Sequence, residues 1–144
     1  MPFIKIWIHV VWTTKNRAPL LEKSLKKSVI SHIRENAKAK NIYIDSIDGY
    51  VDHLHCLISL KGEQSISRIM QLIKGESSFW INQQKWITDR FAWQTEFFAV
   101  SVGESQVKAV RNYINQQEQH HSKKSFQEEY DEFMEKYEFE TFRG

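Results

Sequence analysis

Between Phe3 and Trp12 the even positions Ile4, Ile6, Ile8, Val10 and Trp12 are all apolar, with Lys5, Trp7 and His9 interleaved among them. A period of two is the signature of a strand with one face on a core, because successive side chains point to opposite sides of a sheet. A chain that opens this way must then supply hydrogen-bonding partners for the strand and a cover for its apolar face. The cover follows at once. Leu21, Leu25, Val29, Ile33 and Ala37 recur every four residues, and Lys23, Lys26, Lys27, Arg34 and Lys38 occupy other positions of the same stretch. That is an amphipathic helix, with Pro19 suited to its first position.

The partners come next. Ile42 to Ile47 alternates, Asp48-Gly49 reads as a turn, and a second alternating run continues to Leu60. Ser65 is placed to cap a helix whose apolar residues are Ile66, Ile69, Met70, Ile73, Phe79, Trp80 and Ile81. Trp93 to Val102 is aromatic and β-branched, hence a strand. Ser105 begins another helix, with Val107, Val110 and Ile114 on one side, and the polar stretch Phe126 to Phe142 reads as a further helix or a tail. Strand, helix, strand, strand, helix, strand is the order of a split βαβ, so the expected class is α+β, a ferredoxin-like βαββαβ sandwich with an antiparallel sheet. The first and third strands are then central neighbours. No linker or internal repeat divides the 144 residues, a length suited to one domain. The organisation expected is one domain whose body spans residues 1–121, with an acidic helical tail, 122–144, belonging to the same domain.

Several classes are excluded by composition. One cysteine rules out an internal disulfide framework and four-thiolate zinc modules. The apolar runs near Ile6–Trp12 and Leu54–Leu60 fall far short of the ~20 residues that span a bilayer, and the N-terminus has no secretory pattern, so a cytoplasmic protein with no membrane partner is expected. The formal charge of +2, taken alone, argues weakly against a nucleic-acid partner. Divided at His121, the first part carries 16 Lys+Arg against 11 Asp+Glu and the remainder 4 against 7. A basic body is thus joined to an acidic tail, which suits a nucleic-acid partner for the body. The tail is expected to pack on a partner or to limit nonspecific DNA binding.

The string Asp52-His53-Leu54-His55-Cys56 carries the most chemistry. On a strand His53 and His55 share a face, and two imidazoles on one face of a rigid strand make half of a metal site. Two hydrogen-bonded histidines without a ligand are the plain alternative. Cys56 has the opposite parity and reads as a small buried hydrophobe. On the late helix Tyr113 and Gln117 are four residues apart and share a side away from Val107, Val110 and Ile114. An ordinary polar face is the plain reading of that pair alone.

Taken together, His-hydrophobic-His on a strand and Tyr-x-x-x-Gln on a late helix resemble the HUH single-tyrosine transposases of small insertion sequences. His9-Val10-Val11-Trp12-Thr13-Thr14-Lys15, Asp52, and Lys74-Gly75 match as well. The stretch Tyr113-Ile114-Asn115-Gln116-Gln117-Glu118-Gln119-His120-His121, followed by Phe126-Gln127-Glu128-Glu129, is similar to the REP-associated branch. The resemblance runs from about Ile4 to Phe133. It implies an enzyme that cuts and rejoins single-stranded DNA at hairpin-marked ends through a 5′-phosphotyrosine. Tyr113 would be the nucleophile; His53, His55 and Gln117 would hold a divalent metal, Mg²⁺ or Mn²⁺; and the protein would act as a homodimer. Two imidazoles and an amide oxygen would leave the cation its full charge.

Other residues are candidates at second remove. His9 lies on the non-core face of the first strand and is either a neighbour of the site or a structural histidine. Asp52 is expected to orient an imidazole or cap the turn. His120 and His121 could back up Gln117, touch DNA or be solvated. Lys15, Arg17, Lys61, Arg68, Lys74, Lys85, Arg90, Lys108 and Arg111 are candidate phosphate contacts. Trp80, Trp86, Phe91 and Trp93 could stack on bases, although their spacing equally suits a core or interface. Three other readings stand beside the transposase: a single-strand-binding module without catalysis, a hydrolase of small phosphoesters with Tyr113 a bystander, and a domesticated relative that processes chromosomal repeats.

Overall fold

The computed structural model describes residues 2–121 and 125–136, without the side chains of 120, 121, 126, 130, 133, 134 and 136. Four strands, β1 (Ile6–Thr13), β2 (Tyr43–Tyr50), β3 (His53–Leu60) and β4 (Phe98–Val102), form an antiparallel sheet in the order β2-β3-β1-β4. With helices α1 (Lys23–Ala39) and α2 (Ile66–Gln84) between them, this is the ferredoxin-like arrangement. β1 and β3 are the central neighbours, as the order of the elements predicts.

One face of the sheet presents Val10, Trp12, Leu54, Cys56 and Ile58 to the buried stripes of α1 (Leu25, Val29, Ile33, Ala37) and α2 (Ile69, Met70, Ile73, Ile81). Cys56 is buried there and its thiol is pushed up by desolvation. The opposite face carries Trp7, Leu57 and Val102 beneath α3 (Val107–Asn115), whose Val107 and Ile114 seal a second core. Because paired residues share a face, Val11, His55, Thr13 and His53 lie on this second side too. Two short helices, α4 (Gln117–His121) and α5 (Phe126–Lys136), follow.

Four local expectations are corrected. Pro19 does not start α1: Leu21 N–H is taken by the Val51 carbonyl at 2.8 Å, which keeps that stretch extended. The helix begins at Lys23, where the Glu22 carboxylate accepts from the amides of Ser24 and Leu25. Asp48-Gly49 is not the turn. β2 runs through both residues to Tyr50 and the chain reverses at Val51-Asp52. Gly49 is there for closeness, since a Cβ would meet the His53 carbonyl and stand 2.8 Å from Leu54 Cα. Gly49→Ala is therefore expected to lower stability by about 2–3 kcal/mol, read as an earlier urea midpoint; an unshifted midpoint would contradict this close approach.

The expected Trp93–Val102 strand is confined to Phe98–Val102. Trp93 forms an isolated bridge with Thr14 and packs, with Phe91, against the α2 core. Finally, the helix expected from Ser105 starts at Val107, after a 3-10 turn over Glu104–Gln106, and breaks at Gln116 (φ −113°, ψ 24°). Tyr113 and Gln117 therefore sit on different helices. They are brought together by a turn rather than by one helical face.

Candidate active site

His53 and His55 rise from the centre of the sheet beneath α3, α4 and α5, and both are buried. Their ring centroids are 5.2 Å apart. Each imidazole is held through one nitrogen and presents the other inward. His53 Nδ1 donates to Asp52 Oδ1 at 2.8 Å. His55 Nδ1 shares a 2.9 Å hydrogen bond with Nε2 of His9, itself buried on β1. Such partners fix ring orientation and turn each Nε2 toward a common point.

Glu129 of α5 occupies that point. One of its oxygens, Oε1, lies 3.2 Å from His53 Nε2 and 3.1 Å from His55 Nε2, and its other oxygen accepts from the Tyr113 hydroxyl. Gln117 Oε1 is 3.2 Å from His53 Nε2, and Gln117 is fully buried. The Tyr113 ring stands edge-on to His55 at 5.5 Å and to His9 at 6.3 Å. Tyr113 thus meets the histidines of its own chain.

A buried carboxylate between two imidazoles changes the titration of His53 and of the carboxylate itself. Burial alone would push His53 down, but Asp52 and Glu129 outweigh it, and the imidazole is raised above its ordinary 6.5. Burial would push Glu129 up, yet His53 and His55 outweigh that and lower it from 4.5 to about 2. The stabilisation from raised His53 is complete below 6.5 and is lost as pH climbs through its folded value; that from lowered Glu129 is complete above 4.5 and is lost toward pH 2. In EDTA the thermal midpoint is expected to be highest between about pH 4.5 and 6.5 and to fall above it. Glu129→Gln should flatten that profile, and an unchanged profile in this variant would contradict the coupling.

The remaining sequence candidates are scattered. Arg111 Nε and Nη2 make two 2.8 Å bonds to Asp45, whose strand bulges between Ile44 and Ser46. This clamps α3 to β2 and commits the guanidinium to a carboxylate. Lys74 donates to the Thr95 carbonyl at 2.7 Å beside the Phe97 ring, and burial lowers its pKa. Arg17, in a turn with Lys15, donates to Gln127 of α5. Lys61 is bound to Asn41 and Arg68 to Gln71. Phe91 and Trp93 are core residues, Trp80 stacks on His32 at 3.9 Å, and Trp86 is exposed. The side chains of His120 and His121 lie outside the described residues.

Glu129 lies in the string that carries the resemblance, but the sequence reading gave it no role in the site. The string Ser125-Phe126-Gln127-Glu128 is a capping box, with Glu128 N–H donating to Ser125 Oγ and the Ser125 amide to Glu128 Oε1, both at 3.2 Å. That signal marks where α5 starts. Nothing local marks which of its acids turns inward.

His53, His55 and Glu129 offer two imidazole nitrogens and one carboxylate oxygen within 4.8 Å of one another, all buried. Buried, convergent and mixed in N and O donors, this set fits a divalent cation. With the amide oxygen of Gln117 beside it, the set carries one negative charge, unlike the neutral set that two imidazoles and an amide would make. A cavity of about 450 Å³ leads to Tyr113 and Glu129 past Gly103 and Val110. Among the described residues, no helix is long and apolar enough to cross a membrane.

Comparison with known proteins adds the family. The family model described as "Transposase IS200 like" matches residues 3–117. Curated transposases for insertion sequence element IS200 from Salmonella typhimurium strain LT2 and from Salmonella typhi are each 27% identical over 115 residues, covering 76% of this chain and 74% of theirs. Among solved structures, a candidate transposase from Deinococcus radiodurans R1 has a TM-score of 0.64 at 19% identity, covering 81% of this chain and 93% of that one. A REP-associated tyrosine transposase bound to a REP hairpin has a TM-score of 0.61 at 17% identity, covering 81% and 68%. At these identities the structures are alike in fold.

Proposed function

The chain belongs to the IS200-like transposase family, and on that premise we propose that it cuts and rejoins single-stranded DNA beside a hairpin, with Tyr113 as nucleophile. One observation carries the reading: the phenol of Tyr113 and the inward nitrogens of His53 and His55 converge on a single carboxylate, Glu129. A nucleophile and a cation-binding set that meet at one point are what phosphoryl transfer needs.

In this reading the phenol oxygen attacks the phosphorus, the bond to the 3′-oxygen breaks, and the DNA stays joined to Tyr113 through its 5′-phosphate. The phenol proton ends on the departing 3′-hydroxyl. Because one phosphoester replaces another, the step reverses without an external energy source, which suits rejoining better than hydrolysis. A phenol with an ordinary pKa near ~10 is a weak nucleophile at neutral pH. Glu129, lowered to about 2, is too weak a base to ionise it, and before DNA enters it holds the hydroxyl beside the histidines.

His53, His55, Glu129 and Gln117 are the residues that would hold a divalent cation, Mg²⁺ or Mn²⁺. When bound, it supplies charge neutralisation for the phosphate and lowers the cost of developing charge. The need is visible in the chain itself, since Glu129 and Glu132 both line the cavity by which a phosphate would reach Tyr113. The carboxylate also fills the space between Tyr113 and the imidazoles, so Glu129 must give up its Tyr113-facing contact when a phosphodiester enters. The relative bound to a REP hairpin supports a hairpin as the element recognised.

The test is a labelled hairpin oligonucleotide carrying its native single-stranded flank, incubated with the protein and Mn²⁺ or Mg²⁺. A covalent protein–DNA adduct that disappears in EDTA is expected. DNA binding without an adduct would favour a binding module, and turnover of small phosphoesters without an adduct would favour a hydrolase.

A further inference from the structure

We propose that Lys26 is a positioning residue that holds Gln117 at the cation site by anchoring α4 through Glu118. This rests on the reading above, in which His53, His55, Glu129 and Gln117 surround a divalent cation. Lys26 belongs to α1 on the far side of the sheet, and only 5% of it is exposed. A lysine is almost never buried so deeply without partners. Its ammonium reaches the edge strand β2, donating to the Gly49 carbonyl at 2.9 Å and to Glu118 Oε1 of α4 at 2.8 Å, with Asp48 Oδ1 at 3.1 Å.

The ammonium joins two pieces of the site through a short, charged bond. α4 is five residues long and follows the break at Gln116. A helix that short cannot fix its own orientation. Gln117, its first residue, meets His53 Nε2 through Oε1 at 3.2 Å and makes longer contacts through Nε2, 3.4 Å to the Tyr113 carbonyl and 3.5 Å to Glu129. The next residue, Glu118, carries the short one. At its other end the ammonium is fixed to Gly49, which pairs with Leu54 between the two histidines. One cation thus ties the strand beside the histidines to the helix that brings the amide oxygen.

The test is Mn²⁺ titration of the full chain by calorimetry, without DNA, with thermal unfolding in EDTA measured alongside. Lys26→Met is expected to weaken Mn²⁺ binding about tenfold, the range for residues that orient a ligand. Glu118→Ala, at a half-exposed position, should do the same, while Glu118→Gln, which keeps an acceptor oxygen, should recover most of it. The thermal midpoint of the Glu118 variants should move little. Because the effect runs through Gln117, Lys26→Met should add nothing in a Gln117→Ala background.

Equal losses from Lys26→Met in both backgrounds would overturn the proposal, because a general loosening would not depend on Gln117. So would unchanged binding in Lys26→Met and Glu118→Ala while Gln117→Ala weakens it, and in that case the cation site would stand. Binding indifferent to His55→Ala as well would overturn both.

Discussion

Tyr113→Phe is expected to abolish the covalent protein–DNA adduct and to reduce strand cleavage by at least ~10⁴-fold, the scale on which loss of a nucleophile acts. The substitution removes one oxygen and leaves the ring, so the edge contacts to His9 and His55 persist. Fold and cation binding are therefore expected to survive. The hydroxyl's partner, Glu129 Oε2, also lies near Gln117 Nε2, and the carboxylate keeps its bonds to both histidines. Hairpin binding measured by anisotropy should be unchanged within a few-fold. An adduct that persists in Tyr113→Phe would transfer the nucleophile to another residue, and peptide mapping of the adduct would locate it.

His55→Ala is expected to have the second largest effect. It removes an inward nitrogen 3.1 Å from Glu129 and strips His9 of its 2.9 Å partner. Affinity for Mn²⁺ should fall by more than ~100-fold, beyond the 10–100-fold typical of losing a residue that merely orients a ligand. Cleavage should vanish at cation concentrations that saturate the native protein. Glu129 would lose one of its two imidazole partners, a loss of about 1–3 kcal/mol visible as an earlier urea midpoint. His9→Ala should fall between the native protein and His55→Ala in Mn²⁺ affinity, because it acts through the ring it orients. Cleavage that survives His55→Ala at unchanged cation dependence would remove the histidines from the reaction.

The contrast between these residues shows what was legible in the chain. His53 and His55 were placed on one face by nothing more than strand alternation, and their position on a central strand followed from the order of the elements. Tyr113 and Gln117 were paired correctly in space for a reason that proved wrong in detail. The helix breaks at Gln116, and a turn rather than a shared face brings them together. Gly49 carried a turn-like signal next to Asp48, but its use is to let β2 pass the His53 carbonyl. Local chemistry cannot separate the two uses, because both need a residue without a Cβ.

The acidic tail marks the limit most clearly. Its composition suggested a tail that packs on a partner or limits nonspecific DNA binding, and its described part returns Glu129 to the histidines of the same chain, more than 70 residues away. By itself the sequence determined the strands, their faces, the ferredoxin-like order and the inward histidine pair. These follow from backbone periods of 2 and 3.6, which neighbouring residues dictate. The tertiary structure alone decided that a carboxylate from α5 meets the two histidines and that Lys26, from the other side of the sheet, bonds to Glu118 of α4. Those placements depend on which buried charges find partners across the fold, and no local period encodes them.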